Sequence, residues 1–113
     1  MRAQFRKVLE NLQKQADFER VGFIQGKEKI VEVLNISPEA TVAFGVAPED
    51  MLKYAFDKKT WATWHTHPAT NSNLSNEDLV AFLNYPDLTH IIIGNDGLRI
   101  YEVKNGSVIQ SDD

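Results

Sequence analysis

His65 and His67 are separated by a single residue, and Asp78 follows eleven positions after the second histidine. In an extended segment alternate side chains share a face, so the two imidazoles project the same way and their ring nitrogens can meet at a common centre. Asp78 can supply a third donor from the start of the next element. Two histidines and one carboxylate leave the fourth tetrahedral position of a zinc ion to water, which is the arrangement of a catalytic rather than a structural site. The chain has no cysteine, so thiolate ligation and disulfides are both excluded. Ser75 and Asp78 also have a purely local explanation, because Ser-x-x-Asp ahead of an apolar run is the pattern of a helix capping box. The two readings do not compete. The third histidine, His90, lies in an apolar run with no partner at ligand spacing, and it reads as a hydrogen-bonded core or edge residue.

The elements that must position these residues follow from periodicity. Phe5, Val8, Leu9, Leu12 and Ala16 recur at helical spacing, which predicts an amphipathic helix over residues 2–16. Residues 20–25 and 30–34 are apolar and β-branched and flank Gly26-Lys27-Glu28-Lys29, which predicts a hairpin. A short strand over residues 41–46 follows the break at Pro38. Pro48, with Glu49 and Asp50 behind it, predicts a helix start running on through Phe56. Residues 60–65 alternate as a strand with Trp61, Thr63 and His65 on one face and Ala62 and Trp64 on the other. A polar loop over residues 68–73 lines the cleft or is an ordinary surface loop. A helix over residues 76–84 ends near Pro86, and strands over residues 90–93, 98–103 and 107–110 form a meander with turns at Asn95-Asp96-Gly97 and Asn105-Gly106. Ser111, Asp112 and Asp113 are expected to fray. The sum is a single mixed α/β (α+β) domain over residues 1–113, with helices on a mostly antiparallel sheet.

Composition narrows the function. With 113 residues and 42% hydrophobic content the chain is the size of one compact domain. A formal net charge of -4 provides no basic field for a phosphate backbone, so no nucleic-acid partner is expected. The longest run of aliphatic residues is Ile91-Ile92-Ile93, far short of a membrane span, so no membrane association is expected either. The amino terminus is basic but lacks the apolar segment of a signal peptide, which predicts a cytoplasmic protein.

Taken together, His65-Thr66-His67-Pro68, seven residues, Ser75, two residues, Asp78 resembles the JAMM signature of the JAB/MPN metallopeptidases. That signature also has an upstream glutamate in the form Glu-x-x-Gly before apolar residues, and Glu19-Arg20-Val21-Gly22-Phe23-Ile24 is similar to it. The resemblance extends through Asn35 and the Phe44-x-Val46-x-Pro48 region over nearly the whole chain. The short spacings, and Val46-Ala47-Pro48-Glu49-Asp50 ahead of a helix, look like the compact prokaryotic and viral branch, including the JAB-like part of phage tail-tip assembly proteins. Two departures count against a tail protein: no NlpC-type peptidase domain follows, and Arg20 and Val21 stand where many such proteins have cysteines.

The resemblance implies a JAB/MPN-like, cytidine-deaminase-like fold and one zinc ion per chain on His65, His67 and Asp78. It implies Glu19 as general base and then acid without being a ligand, and Ser75 as a hydroxyl that helps hold the oxyanion. The implied activity is hydrolysis of a peptide or isopeptide bond through a metal-activated water. The substrate would be a protein or peptide, such as a phage tail-tip protein or a ubiquitin-like tail, in the host cytoplasm or the virion tail. Gly22 allows close backbone approach near the site, or marks a strand bulge. Trp61 and Trp64 serve core packing or substrate contact. The competing reading is a non-catalytic JAB/MPN-like scaffold or tail structural subunit. A nucleobase deaminase is excluded, since that chemistry needs His-x-Glu and Pro-Cys-x-x-Cys.

Overall fold

The computed structural model describes residues 1–15, 17–41 and 43–111. Helix α1 (Ala3–Leu12) runs into a short 3-10 turn, Gln13–Gln15, and the predicted helix end at Ala16 lies outside the described residues. Strands β1 (Val21–Gln25) and β2 (Lys29–Val33) form the expected hairpin, with Gly26 in the left-handed region at φ 57°. Helix α2 begins at Pro48–Asp50 and continues in π geometry over Met51–Ala55. Then come β3 (Thr60–Thr66), α3 (Asn76–Leu83), β4 (Thr89–Gly94), β5 (Gly97–Lys104) and β6 (Ser107–Ser111). Ser111 is paired with Ile100 rather than frayed, and Asp112 and Asp113 lie outside the described residues.

The strands make one mixed sheet in the order β2-β1-β3-β4-β5-β6. Only β3 and β4 run parallel. Parallel neighbours need a crossover, and α3 is that crossover. The connection leaves the carboxyl end of β3 and delivers the amino terminus of α3 beside it, which is the step that brings the two halves of the motif together.

Period-2 alternation sends the core to both faces of the sheet. On one face, Phe5 and Leu9 of α1 pack on Ile24, Ala62, Trp64, Ile91, Ile93, Leu98 and Ile100. Val8, expected on the same stripe, is instead exposed at its margin, because residues 5, 9 and 12 already line the buried side. On the other face, α2 closes over Val21, Phe23 and Val33, and Phe82 of α3 packs with Ile92 and Tyr101. Fully burying each such side chain contributes about 1.5–3 kcal/mol. Gly22 owes its identity to this packing: a Cβ there would stand 1.9 Å from the Val31 carbonyl oxygen and 2.7 Å from the Trp64 indole nitrogen. Trp64 is accordingly a core residue with no exposure.

The predicted strand over residues 41–46 does not form. Among the described residues of that segment only Val46 makes a bridge, to Asn35, while Phe44 and Val46 turn inward to the α2 cluster. The apolar character that suggested a strand is used to cap the core, and Val42 lies outside the described residues.

Candidate metal centre

Strand β3 presents His65 within its last residues, and His67 follows as the backbone leaves it, its N–H donating to the Ile93 carbonyl at 2.8 Å. The two Nε2 atoms lie 3.3 Å apart. Asp78 faces both: Oδ1 is 2.9 Å from His65 Nε2 and Oδ2 is 3.1 Å from His67 Nε2. Ligands bound tetrahedrally at zinc–nitrogen and zinc–oxygen lengths are separated by about 3.3 Å, so this triangle is close to the size a single ion requires. All three side chains are buried, with His65 1% exposed, Asp78 2% and His67 8%. Glu19 also reaches the group: it, His65 and His67 each bring a ligand atom within 4.8 Å of the others. This buried Glu19–His65–His67 set could hold a metal ion, and Asp78 adds a carboxylate at hydrogen-bond range of both rings.

The chemistry of the donors fits a cation. His67 Nδ1 lies 2.8 Å from the Asn71 carbonyl oxygen, a contact that requires Nδ1–H and leaves the Nε2 lone pair directed at Asp78 and His65. Lone pairs converging this closely repel one another unless a proton or a metal lies among them. The protonated alternative places charge on His67. Burial works against charge on His67, but its hydrogen bond to Asp78, with help from Asn71 and the charges of Asp78 and Glu19, raises its pKa. His65 is pushed down, mainly by complete burial. Burial opposes ionisation of Asp78 as well, yet the hydrogen bonds to both histidines hold its pKa far below the carboxylate range.

Ser75 caps α3, its Oγ accepting from the Asp78 N–H at 3.1 Å while Asp78 Oδ2 accepts from the Ser75 N–H at 3.2 Å. The capping box expected from the sequence is therefore formed, and it fixes the carboxylate that faces the histidines.

The loop after His67 is a surface loop tied to the sheet, with Ser72 buried and Thr70, Asn71 and Asn73 exposed. Asn95 N–H donates to the Thr70 carbonyl at 2.9 Å, Asp96 Oδ1 accepts from Ser72 N–H at 2.9 Å, and the Tyr101 hydroxyl donates to the Ser72 carbonyl at 3.1 Å. Gly94 permits this contact, since a Cβ there would stand 2.3 Å from Asn71 and Ser72 backbone atoms. Gln13, at the end of α1, donates to the carbonyls of His67 and Pro68 at 3.2 and 2.9 Å.

Glu19 precedes β1, which pairs with β3 so that Val21 stands opposite His65. Its backbone is gripped on both sides: N–H to the Ala40 carbonyl at 2.6 Å, and carbonyl to Asn35 Nδ2 at 2.7 Å. Asn35 spends its whole amide on this junction, donating also to Ala43 and accepting from the N–H groups of Ser37 and Gly45. Neither Asn35 nor Gln13 carried a role that the sequence alone made visible, because each acts on backbone groups remote in the chain. Burial lifts the Glu19 carboxyl to about 7, against the opposing charge of His67 and with help from those of Asp78 and Glu77. Such a group exchanges a proton readily at neutral pH.

His90 is a satisfied core residue, as its spacing suggested. Its ring stacks on Phe82 at 4.2 Å, with Nδ1 2.6 Å from Thr63 Oγ1 and Nε2 2.9 Å from the Tyr85 carbonyl. Trp61, expected on the face of Thr63 and His65, instead lies beside Phe5 and Ile91 near the start of α1, because the β1–β3 register shifts between Ile24 and Gln25 and leaves Trp61 without a partner position. No helix among the described residues is long and apolar enough to cross a membrane. No protein-family model matches the chain, and no curated protein matches it.

Proposed function

We propose that this chain is a zinc-dependent metallopeptidase of the JAB/MPN (JAMM) type, holding one zinc ion on His65, His67 and Asp78 and hydrolysing a peptide or isopeptide bond. The observation that carries the reading is the convergence of three buried donor side chains at mutual distances of 2.9–3.3 Å, with Glu19 beside them. Zinc in such a site lowers the pKa of bound water to about 7 and polarises a carbonyl. The remaining work belongs to the chain. Glu19, beside the two histidines, would take a proton from the attacking water and hand it to the leaving amine. The Ser75 hydroxyl, at the amino terminus of α3, offers a donor to the developing oxyanion where the helix end also favours negative charge. Asn71 and Gln13 hold His67 in orientation through the contacts described above.

The hairpin turn between β1 and β2 and the short loops around the site suit the compact prokaryotic and phage branch. A tail-tip protein or a ubiquitin-like tail, in the cytoplasm or the virion tail, is the proposed setting.

The decisive test is metal content of protein purified without chelator, together with hydrolysis of a peptide and isopeptide panel. One zinc per chain is expected in wild type and in Glu19→Ala, with loss in His67→Ala and Asp78→Asn. Turnover in Glu19→Ala is expected to fall by at least about a hundredfold. Equal metal loss in all three variants would make Glu19 a ligand. Full zinc occupancy without hydrolysis of any substrate would leave the non-catalytic scaffold as the better description.

A further inference from the structure

Below His65 a slot of about 250 Å³ runs along the sheet between α2 and α3. Val21, Phe23, Phe44, Val46, Met51 and Phe82 make most of its wall, and His65 closes one end. Phe44 packs at a tilt against the His65 ring, with centroids 4.5 Å apart, so the apolar wall and the imidazole that faces Asp78 are continuous. Phe44, Val46, Met51 and Tyr85 are only partly buried, so the slot opens between them, with exposed Asn84 at its margin. Thr63 and His90 on its floor have partners already: Thr63 Oγ1 is 2.6 Å from His90 Nδ1, and His90 Nε2 is 2.9 Å from the Tyr85 carbonyl, whereas Trp64, which also borders the slot, has a buried indole N–H without a protein partner. A charged or amide side chain placed there would lose water and find little in return. An apolar cavity of about 150 Å³ suffices for benzene, so this slot has room for one leucine or phenylalanine side chain. The larger cavity of about 620 Å³, near Phe5 and Trp61, is bordered instead by Arg2 and Glu28, which pair with each other, and by no residue of the metal centre.

We propose that the slot is a specificity subsite that receives a leucine- or phenylalanine-sized apolar side chain adjacent to the scissile bond, which makes the substrate a peptide with an apolar residue at the cut. This deepens the metallopeptidase reading and rests on it. Binding of acetyl-leucine, acetyl-phenylalanine and acetyl-glycine hydroxamates to zinc-loaded protein, followed by calorimetry, tests it without requiring turnover. The apolar pair should bind at least about tenfold more tightly than the glycine compound, as pocket complementarity of this size supplies. Ala81→Leu and Met51→Trp, which fill the slot from different walls, should each remove that preference while leaving the glycine compound unchanged. Equal affinity for all three hydroxamates in wild type would overturn the subsite and leave the metal reading standing. If the protein takes up no zinc, the metal reading fails separately, and methyl NMR of the same protein with acetyl-leucinamide then decides the slot. Saturable shifts at Val21, Val46 and Met51 would support it, and their absence would overturn it.

Discussion

At the scale of single residues, environment decides which ionisable side chains are chemically useful. His65, His67 and His90 share a side chain, yet the first two face a carboxylate and each other while the third is enclosed by Thr63, Tyr85 and Phe82. Burial lowers His90 to about 4 from an ordinary value of 6.5. Because the folded value is depressed, the stability associated with neutral His90 is complete above about pH 6.5 and is lost as pH falls toward 4. At 1.36 kcal/mol per pH unit, the loss approaches about 3 kcal/mol. Urea unfolding of metal-free wild type and His90→Gln at pH 7 and pH 4 should therefore show the wild-type advantage shrinking by that order. A difference that stays constant over this window would mean that His90 titrates normally in the folded protein.

At the scale of elements, the centre depends on loops that are held from outside it. The Asn71 carbonyl that orients His67 stays in place because residues 70–72 rest directly on Gly94 of β4. Gly94→Ala has no room for its methyl group and should cost about 1–3 kcal/mol of stability. Zinc affinity should fall by about ten- to a hundredfold through loss of the contact behind His67, measured by competition with a chromophoric chelator. Asn35 has the corresponding task at Glu19, on the other side of the site. Asn35→Ala is expected to keep the zinc and lower turnover, with KM changed much less than kcat, because Asn35 holds the Glu19 backbone and none of His65, His67 or Asp78. Loss of metal from that variant would show instead that the loop supports the ligands themselves.

At the scale of the whole molecule, the proposed ligands come from the carboxyl end of β3 and from α3 while Glu19 enters ahead of β1, so an ion bound to them would tie together elements distant in sequence. Binding only to the folded state stabilises it by about 2.7 kcal/mol when free zinc is a hundred times Kd. In a domain of this length that corresponds to a rise in Tm on the order of 10 °C. Scanning calorimetry with and without zinc should show the rise in wild type, its reversal by chelator, and none in His67→Ala. No shift in wild type that holds zinc would mean that the ion also binds the unfolded chain with comparable affinity.

Much of this was determined by the sequence because its causes are local. Alternation along residues 62–65 put His65 opposite Trp64, though a register shift at Trp61 broke it one residue earlier; Ser75 and Asp78 formed their capping box, and the turns at Gly26 and Gly106 adopted the positive φ that glycine allows. Residues 41–46 misled for a physical reason: apolar character records burial, and Phe44 and Val46 are drawn to the core beneath α2 without a ladder to join. What only the tertiary structure decided was long-range: the parallel pairing of β3 with β4, the packing of Trp64 over Gly22, and the reach of Gln13 and Asn35 to the backbone of His67 and Glu19. Such contacts become favourable only after many segments are ordered together, so no short window of sequence contains them. The residue types that could bind a metal were written in the chain, and the distances that bring them to one point belong to the fold.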